Sequence, residues 1–176
     1  MKDLSLHILD IVHNSVRAKA NRIDIVVERS LSKDLLIIKV IDNGSGMDKE
    51  CLKYIADPFY TSRTSRKVGL GIPLLKQKTE LCNGSFQIKS SPGKGTRLLA
   101  KFQDSHIDLP EMGDIAGVVA MLSCSFPYIR FVFNYYTNIS FYHYDTEEIK
   151  EALDGVPINT PGVELFIKEM IEGALK

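Results

Sequence analysis

Asp10 and Asn14 stand four residues apart in Leu9-Asp10-Ile11-Val12-His13-Asn14. On a helix that spacing turns a carboxylate and a carboxamide to the same side. A hard cation such as Mg2+ takes oxygen ligands and keeps waters or phosphate oxygens around it, and an Asn side-chain oxygen can serve as its protein ligand. A carboxylate one turn away is placed to orient or deprotonate an attacking water or hydroxyl. An ordinary polar helix edge presents the same two residues, so the pair alone leaves both descriptions open. Asp42-Asn43-Gly44-Ser45-Gly46-Met47 is more informative, because it comes directly after an apolar, β-branched run. A carboxylate at a strand end can accept a hydrogen bond from an exocyclic amine, and glycines let backbone approach a planar ring without Cβ collision. An Asp-Asn-Gly turn is the competing description. Val68-Gly69-Leu70-Gly71 opens a helical pattern, and free N–H groups at a helix start favour phosphate. Ser62, Arg63, Thr64, Ser65, Arg66 and Lys67 precede it with hydroxyls and three positive charges, which a solvated loop would also carry.

The surrounding pattern supplies elements to position these groups. Leu4, Ile8, Ile11, Val12, Ser15 and Val16 recur at helical spacing, with Asp10, Asn14 and Arg17 on a neighbouring stripe. Ile23 to Glu28 and Leu35 to Ile41 read as paired strands, and Asp48 caps a short helix that Asp57-Pro58 ends. Pro73 to Leu81 is helical and closes at Asn83-Gly84. Ser85 to Ser91 and Thr96 to Phe102 form a second strand pair around Pro92-Gly93-Lys94-Gly95. This order predicts an α+β fold, a two-layer sandwich with helices on one face of a mixed, mostly antiparallel sheet. A composition change near Gln103 to Gly113 marks a connector, which divides the chain into an expected domain over 1–104 and a small α/β extension over 105–176 packed on it. The extension reads helix from Ile115, strands Ile129 to Tyr136 and Ile139 to Tyr144, a helix capped by Asp145, and a last helix starting at Thr160-Pro161.

Bulk composition narrows the function classes. The 176 residues suit one domain with a modest extension, and 22 basic against 22 acidic side chains leave no general field for nucleic acid. Cys51, Cys82 and Cys124 lack disulfide or zinc spacing, which fits a reducing cytoplasm. The chain opens without a signal-peptide pattern, and Ile115 to Phe126 is too short to span a membrane, so it reads as a buried helix.

Taken in order, the segments resemble the GHKL ATPases: histidine kinases, DNA gyrase B subunits, mismatch-repair MutL proteins and heat-shock chaperone ATPases. Leu9 to Ala18, continuing through Ala20-Asn21-Arg22-Ile23-Asp24-Ile25, is similar to the asparagine box, and Asp42 to Met47 to the first glycine box. Asp57-Pro58-Phe59-Tyr60-Thr61 resembles the phenylalanine box of histidine kinases. Gly69-Leu70-Gly71-Ile72 resembles the second glycine box, and Pro92-Gly93-Lys94-Gly95-Thr96 the strand-turn signature after it. The resemblance covers about residues 4 to 102 and implies the Bergerat fold, with ATP and Mg2+ as cofactors. It implies Asn14 as Mg2+ ligand, Asp42 as partner of the adenine amine, and Gly44, Gly46 and Met47 against the base. Thr96 becomes a second adenine-side contact, Gly69, Leu70 and Gly71 the lid hinge and phosphate contact, and Phe59 and Lys67 further cofactor contacts. Asp10 takes the place usually held by a Glu general base. Asp is one methylene shorter, and a misplacement of about 1 Å can cost about a hundredfold in rate, so binding is better supported than turnover. The stretch available for a lid, Tyr60 to Val68, is brief.

The asparagine-box pattern starts almost at Met1, so no helical hairpin with a phosphoacceptor His is expected, and His7 and His13 read as surface or packing residues. The layout is similar to that of small anti-sigma-factor kinases. It implies an ATP-binding protein that hydrolyses ATP or phosphorylates a partner protein in trans, or else a nucleotide-responsive binding module with little catalysis. ATP or ADP, a protein partner and a second copy of the chain are the expected associates; nucleic acid and membrane are not. Aromatic residues cluster from Phe126 to Tyr144 and fall on both faces of the Ile129 to Tyr136 strand, leaving open whether one face is exposed for docking.

Overall fold

The computed structural model describes residues 3–55 and 71–176. Helix α1 (Leu4–Arg17) begins at Asp3, whose carboxylate accepts the Leu6 N–H at 3.0 Å, and it buries the stripe Leu4, Ile8, Ile11 and Val12. Strands β1 (Arg22–Ser30) and β2 (Leu35–Asp42) form an antiparallel hairpin that turns through a short 3-10 segment, Leu31–Lys33, with Asp34 left-handed at φ 49°. Side chains alternate along both strands, so Ile23, Ile25 and Val27 face the core together with Leu36, Ile38 and Val40. Helix α2 (Lys49–Tyr54) is capped by Asp48, which accepts the Cys51 N–H at 2.7 Å. Helix α3 (Gly71–Leu81) closes through Asn83, left-handed at φ 51°, with the Gly84 N–H on the Thr79 carbonyl at 2.8 Å. Strands β3 (Ser85–Ser90) and β4 (Thr96–Gln103) form the second hairpin.

Past β4 the connector runs back to the start of α1, where the Leu4 and Ser5 N–H groups donate to the Glu111 and Met112 carbonyls at 2.9 and 2.8 Å. Helix α4 (Ile115–Ser125) comes next, then strands β5 (Arg130–Tyr136) and β6 (Phe141–Asp145), and helices α5 (Thr146–Ala152) and α6 (Val163–Leu175). The six strands make one sheet in the order β3-β4-β2-β1-β5-β6. All neighbours are antiparallel except β1 and β5, which run parallel from Arg22 opposite Arg130 to Glu28 opposite Tyr136. Phe131 and Phe133 therefore line up with Ile23 and Ile25 and continue one apolar face across the sheet. That face, the buried stripes of α1, α3, α4 and α6, and Phe102 and Tyr144 form a single core. Ile37 and Val132, buried on the opposite face, are not part of it. The fold is thus the expected α+β sandwich with its helices on one face.

One boundary departs from the sequence pattern. The last helix starts at Val163 after Gly162, left-handed at φ 93°, while Thr160 makes a turn whose carbonyl accepts the Val163 N–H at 3.1 Å. The aromatics of β5 are divided unequally: Phe131, Phe133 and Tyr135 share the core side, and Tyr136 alone turns away, 39% exposed and stacked on Phe141. Within the core, the Tyr144 hydroxyl donates to Ser123 Oγ at 2.8 Å, and Ser123 in turn donates to the Val119 carbonyl, so the buried phenol is satisfied. Phe133 sits on the strand that joins the later elements to β1 and is fully buried. Phe133→Ala should cost about 3–5 kcal/mol, and urea unfolding should show a lower midpoint and still a single transition.

Candidate functional site

The end of β2 meets α1, the β3–β4 hairpin and the start of α3 around a pocket. Its walls are apolar, from Ile11, Val40, Met47, Ile72, Ile88 and Leu98, and its polar groups are Asn14, Ser15, Asp42 and Thr96. Asp42 is 8% exposed. A carboxylate removed from water in such surroundings needs donors, and three converge on it. Ser15 Oγ donates to Oδ2 at 2.7 Å, and the Gly44 and Thr96 N–H groups donate to Oδ1 at 2.9 and 3.3 Å. Thr96 arrives by sheet register, opposite Asp42 in the β2–β4 pair, and Ser15 arrives on the buried stripe of α1. A carboxylate has about four lone-pair directions, so three protein donors leave one for a further donor, on the oxygen that only Ser15 occupies.

The loop after Asp42 is fastened on both sides. Asn43 Oδ1 accepts the Asn21 and Arg22 N–H groups at 3.1 and 3.0 Å, tying the loop to the start of β1. The Ser45 N–H donates to the Ala18 carbonyl at 2.8 Å, and the Met47 N–H to Ser90 Oγ at 2.8 Å. Ser90 donates onward to the Gly95 carbonyl and lies 3.0 Å from Thr96 Oγ1. Gly46 is left-handed at φ 66°, and a Cβ there would lie 2.0 Å from the Ser91 carbonyl oxygen. The protein's own packing therefore already demands glycine at this position.

Asp10 and Asn14 point from α1 toward the same region. Asn14 lines the pocket, and its Oδ1 accepts from Arg17 Nη1 at 3.2 Å. Asp10 is half-buried against Gly71, the first residue of α3. A Cβ on Gly71 would fall 2.7 Å from Asp10 Cβ and 2.9 Å from its Oδ2, so only glycine lets the two elements approach this closely. The carboxylate then sits at the positive end of the α3 dipole. Of the residues singled out in the sequence, Asn14, Asp42, Gly46, Met47 and Thr96 line one pocket, while Gly44 holds Asp42 from beneath and Asp10 meets Gly71 beside it. Phe59, Lys67, Gly69 and Leu70, with the Tyr60–Val68 stretch, lie outside the described residues.

Ser15 was not legible as a functional residue, since it occupies an apolar stripe. The available signal was its hydroxyl, because a serine on a buried helix face needs a partner. A second grouping, His143, Asp145 and Glu148, brings three potential metal-ligand atoms within 4.8 Å. There Asp145 is already held by the Arg130 guanidinium and caps α5 through the Glu147 N–H, so the grouping has a structural explanation.

Comparison with known proteins bears on the fold and the family. Sensor histidine kinase YxdK of Bacillus subtilis (strain 168) is 31% identical over 106 residues, covering 57% of this chain and 33% of the kinase. Sporulation kinase C of the same organism is 30% identical over 88 residues, 50% of this chain and 20% of that protein. This chain thus spans a third or less of the length of these kinases. Among solved structures, the Aquifex aeolicus MutL ATPase domain complexed with ADP superposes with a TM-score of 0.53 at 12% identity, covering 88% of this chain and 70% of that one. The N-terminal domain of a DNA repair protein gives 0.55 at 19% identity, over 81% and 52%. Both likenesses are of fold. The family of histidine kinase-, DNA gyrase B- and HSP90-like ATPases matches residues 2–106, more than half of the sequence. The chain belongs to that family.

Proposed function

We propose that this chain binds ATP with Mg2+ and either hydrolyses it or passes its γ-phosphoryl group to a partner protein in trans. The observation that carries the reading is Asp42: a buried carboxylate with room for one more donor, at the head of an apolar pocket shaped by Ile11, Met47, Ile88 and Leu98. The adenine amine would take the remaining lone pair, and the apolar walls would cover the ring faces. Thr96 and the Gly44–Met47 backbone would border the base. Asn14 Oδ1, at the pocket rim, fits a hard cation, and the magnesium it would hold neutralises charge on the phosphates. Asp10, one turn earlier, would accept the proton of the attacking water or hydroxyl.

A second reading is favoured by the Asp10–Gly71 contact. The shorter carboxylate is packed against the first residue of α3, so nucleotide entering beside it would move the α3 start, and partner affinity would follow nucleotide state with little turnover. In either reading the partner is a protein, a second copy of the chain included, acting in the cytoplasm. The balanced charge argues against a polyanion.

Thermal unfolding with Mg-ATP, Mg-ADP and Mg-GTP tests the site. Ligand at about a hundred times its dissociation constant should add about 2.7 kcal/mol, or a rise of several degrees for a chain of this size. The rise should be selective for adenine and vanish in Asp42→Asn; no rise with any nucleotide would end the reading. Asp10→Asn separates the two versions. Turnover should drop by roughly 10²–10⁴-fold if the chain is an enzyme, with Mg-ATP binding retained, whereas a binding module would behave the same in both proteins.

A further inference from the structure

His7 lies on α1 one turn before Asp10 and two turns before Asn14, on the same side of the helix. It is 2% exposed, and neither Nδ1 nor Nε2 has a hydrogen-bond partner; among the described residues no other buried side chain is left unpaired. An unsatisfied buried polar group costs roughly 1–3 kcal/mol, and an apolar side chain would fill this place without that cost. Positions that break the burial rule with no local compensation are where function is expected.

The surroundings indicate which function. The Gly71 backbone approaches the imidazole as a hydrogen-bond acceptor and the Asp10 carboxylate acts on it through charge, both favouring the protonated ring, but neither meets the full geometry of a hydrogen bond. Gly71 in turn presses on Asp10. The three residues form one cluster beneath the start of α3, the helix end that favours phosphate.

We propose that His7 is a positioning residue of the nucleotide site: its ring N–H engages the Gly71 main-chain carbonyl when phosphates draw on the start of α3, and so fixes where the Asp10 carboxylate points. The proposal rests on the Mg-ATP reading above. Burial disfavours protonation of the ring, whereas the Gly71 backbone and Asp10 favour it. Burial prevails, aided by Lys78 on α3, and pushes the imidazole below its usual 6.5. The folded value lies below the unfolded one, so the associated stability is complete above pH 6.5 and is lost as pH falls through the folded value.

Calorimetric titration of Mg-ATP into wild type, His7→Leu and His7→Gln between about pH 5.5 and 8, with thermal unfolding of each free protein, tests this. The free His7→Leu protein should unfold no lower than wild type, yet bind Mg-ATP about tenfold more weakly, the value of one lost hydrogen bond. His7→Gln, which keeps an N–H donor, should recover most of that affinity. Equal binding by wild type and His7→Leu at every pH would overturn the proposal alone, as would a free His7→Leu protein that unfolds well below wild type. Wild type that binds no nucleotide at any pH would overturn the underlying reading along with it.

Discussion

Asp42 is seated among isoleucine, leucine and methionine, and three donors reach it there from three different elements. Ser15 comes from the buried stripe of α1, Gly44 from the loop beyond β2, and Thr96 from the paired strand β4. Withdrawing any of these donors leaves the buried carboxylate less well satisfied, which costs more than the bond itself contributes. The seating of α1 on the sheet, the β2–β4 register and the tight Gly44–Met47 loop are therefore coupled through one side chain. The same seating fixes Asn14, one residue before Ser15, at the pocket rim.

The rest of the fold holds that seating in place. A sheet with one apolar face needs helices along its whole width, and the chain provides them in sequence: α1 and α3 over the first hairpins, α4 and α6 over β5 and β6. Strand β5 adds to β1, so the elements after residue 114 lengthen the core face instead of starting another. The connector before them also holds the first turn of α1 through Glu111 and Met112. The elements C-terminal to the family's motifs thus support the geometry of those motifs.

Much of this was legible from residue pattern because each element buries one face. The 3.6-residue period of Leu4, Ile8, Ile11 and the alternation of Ile23, Ile25, Val27 specify type and facing at once. Asp48 and Asp145 were readable as caps because side-chain capping is local. The pairing of Ser15 with Asp42, 27 residues away, was not readable, since a hydroxyl in an apolar stripe carries no mark of what it faces. The parallel β1–β5 pairing was hidden for a related reason: its register depends on tertiary packing across more than a hundred residues. The late start of α6 reflects a local competition that Thr160-Pro161 lost to the left-handed Gly162. Gly46 and Gly71 were readable as glycines that matter, but their immediate neighbours, Ser91 and Asp10, emerge only in three dimensions.

In the proposed function Asp42 receives the exocyclic amine of adenine. The most direct measurement compares the affinity of the chain for ATP with that for purine riboside triphosphate, which has the same ring, sugar and phosphates but no amine. Loss of one hydrogen bond to a charged acceptor is worth about 1.5–3 kcal/mol, so the amine-free nucleotide should bind roughly ten- to a hundredfold more weakly. Equal affinities would mean that the base does not meet Asp42, and that the buried carboxylate serves only to hold α1, β4 and the glycine loop together.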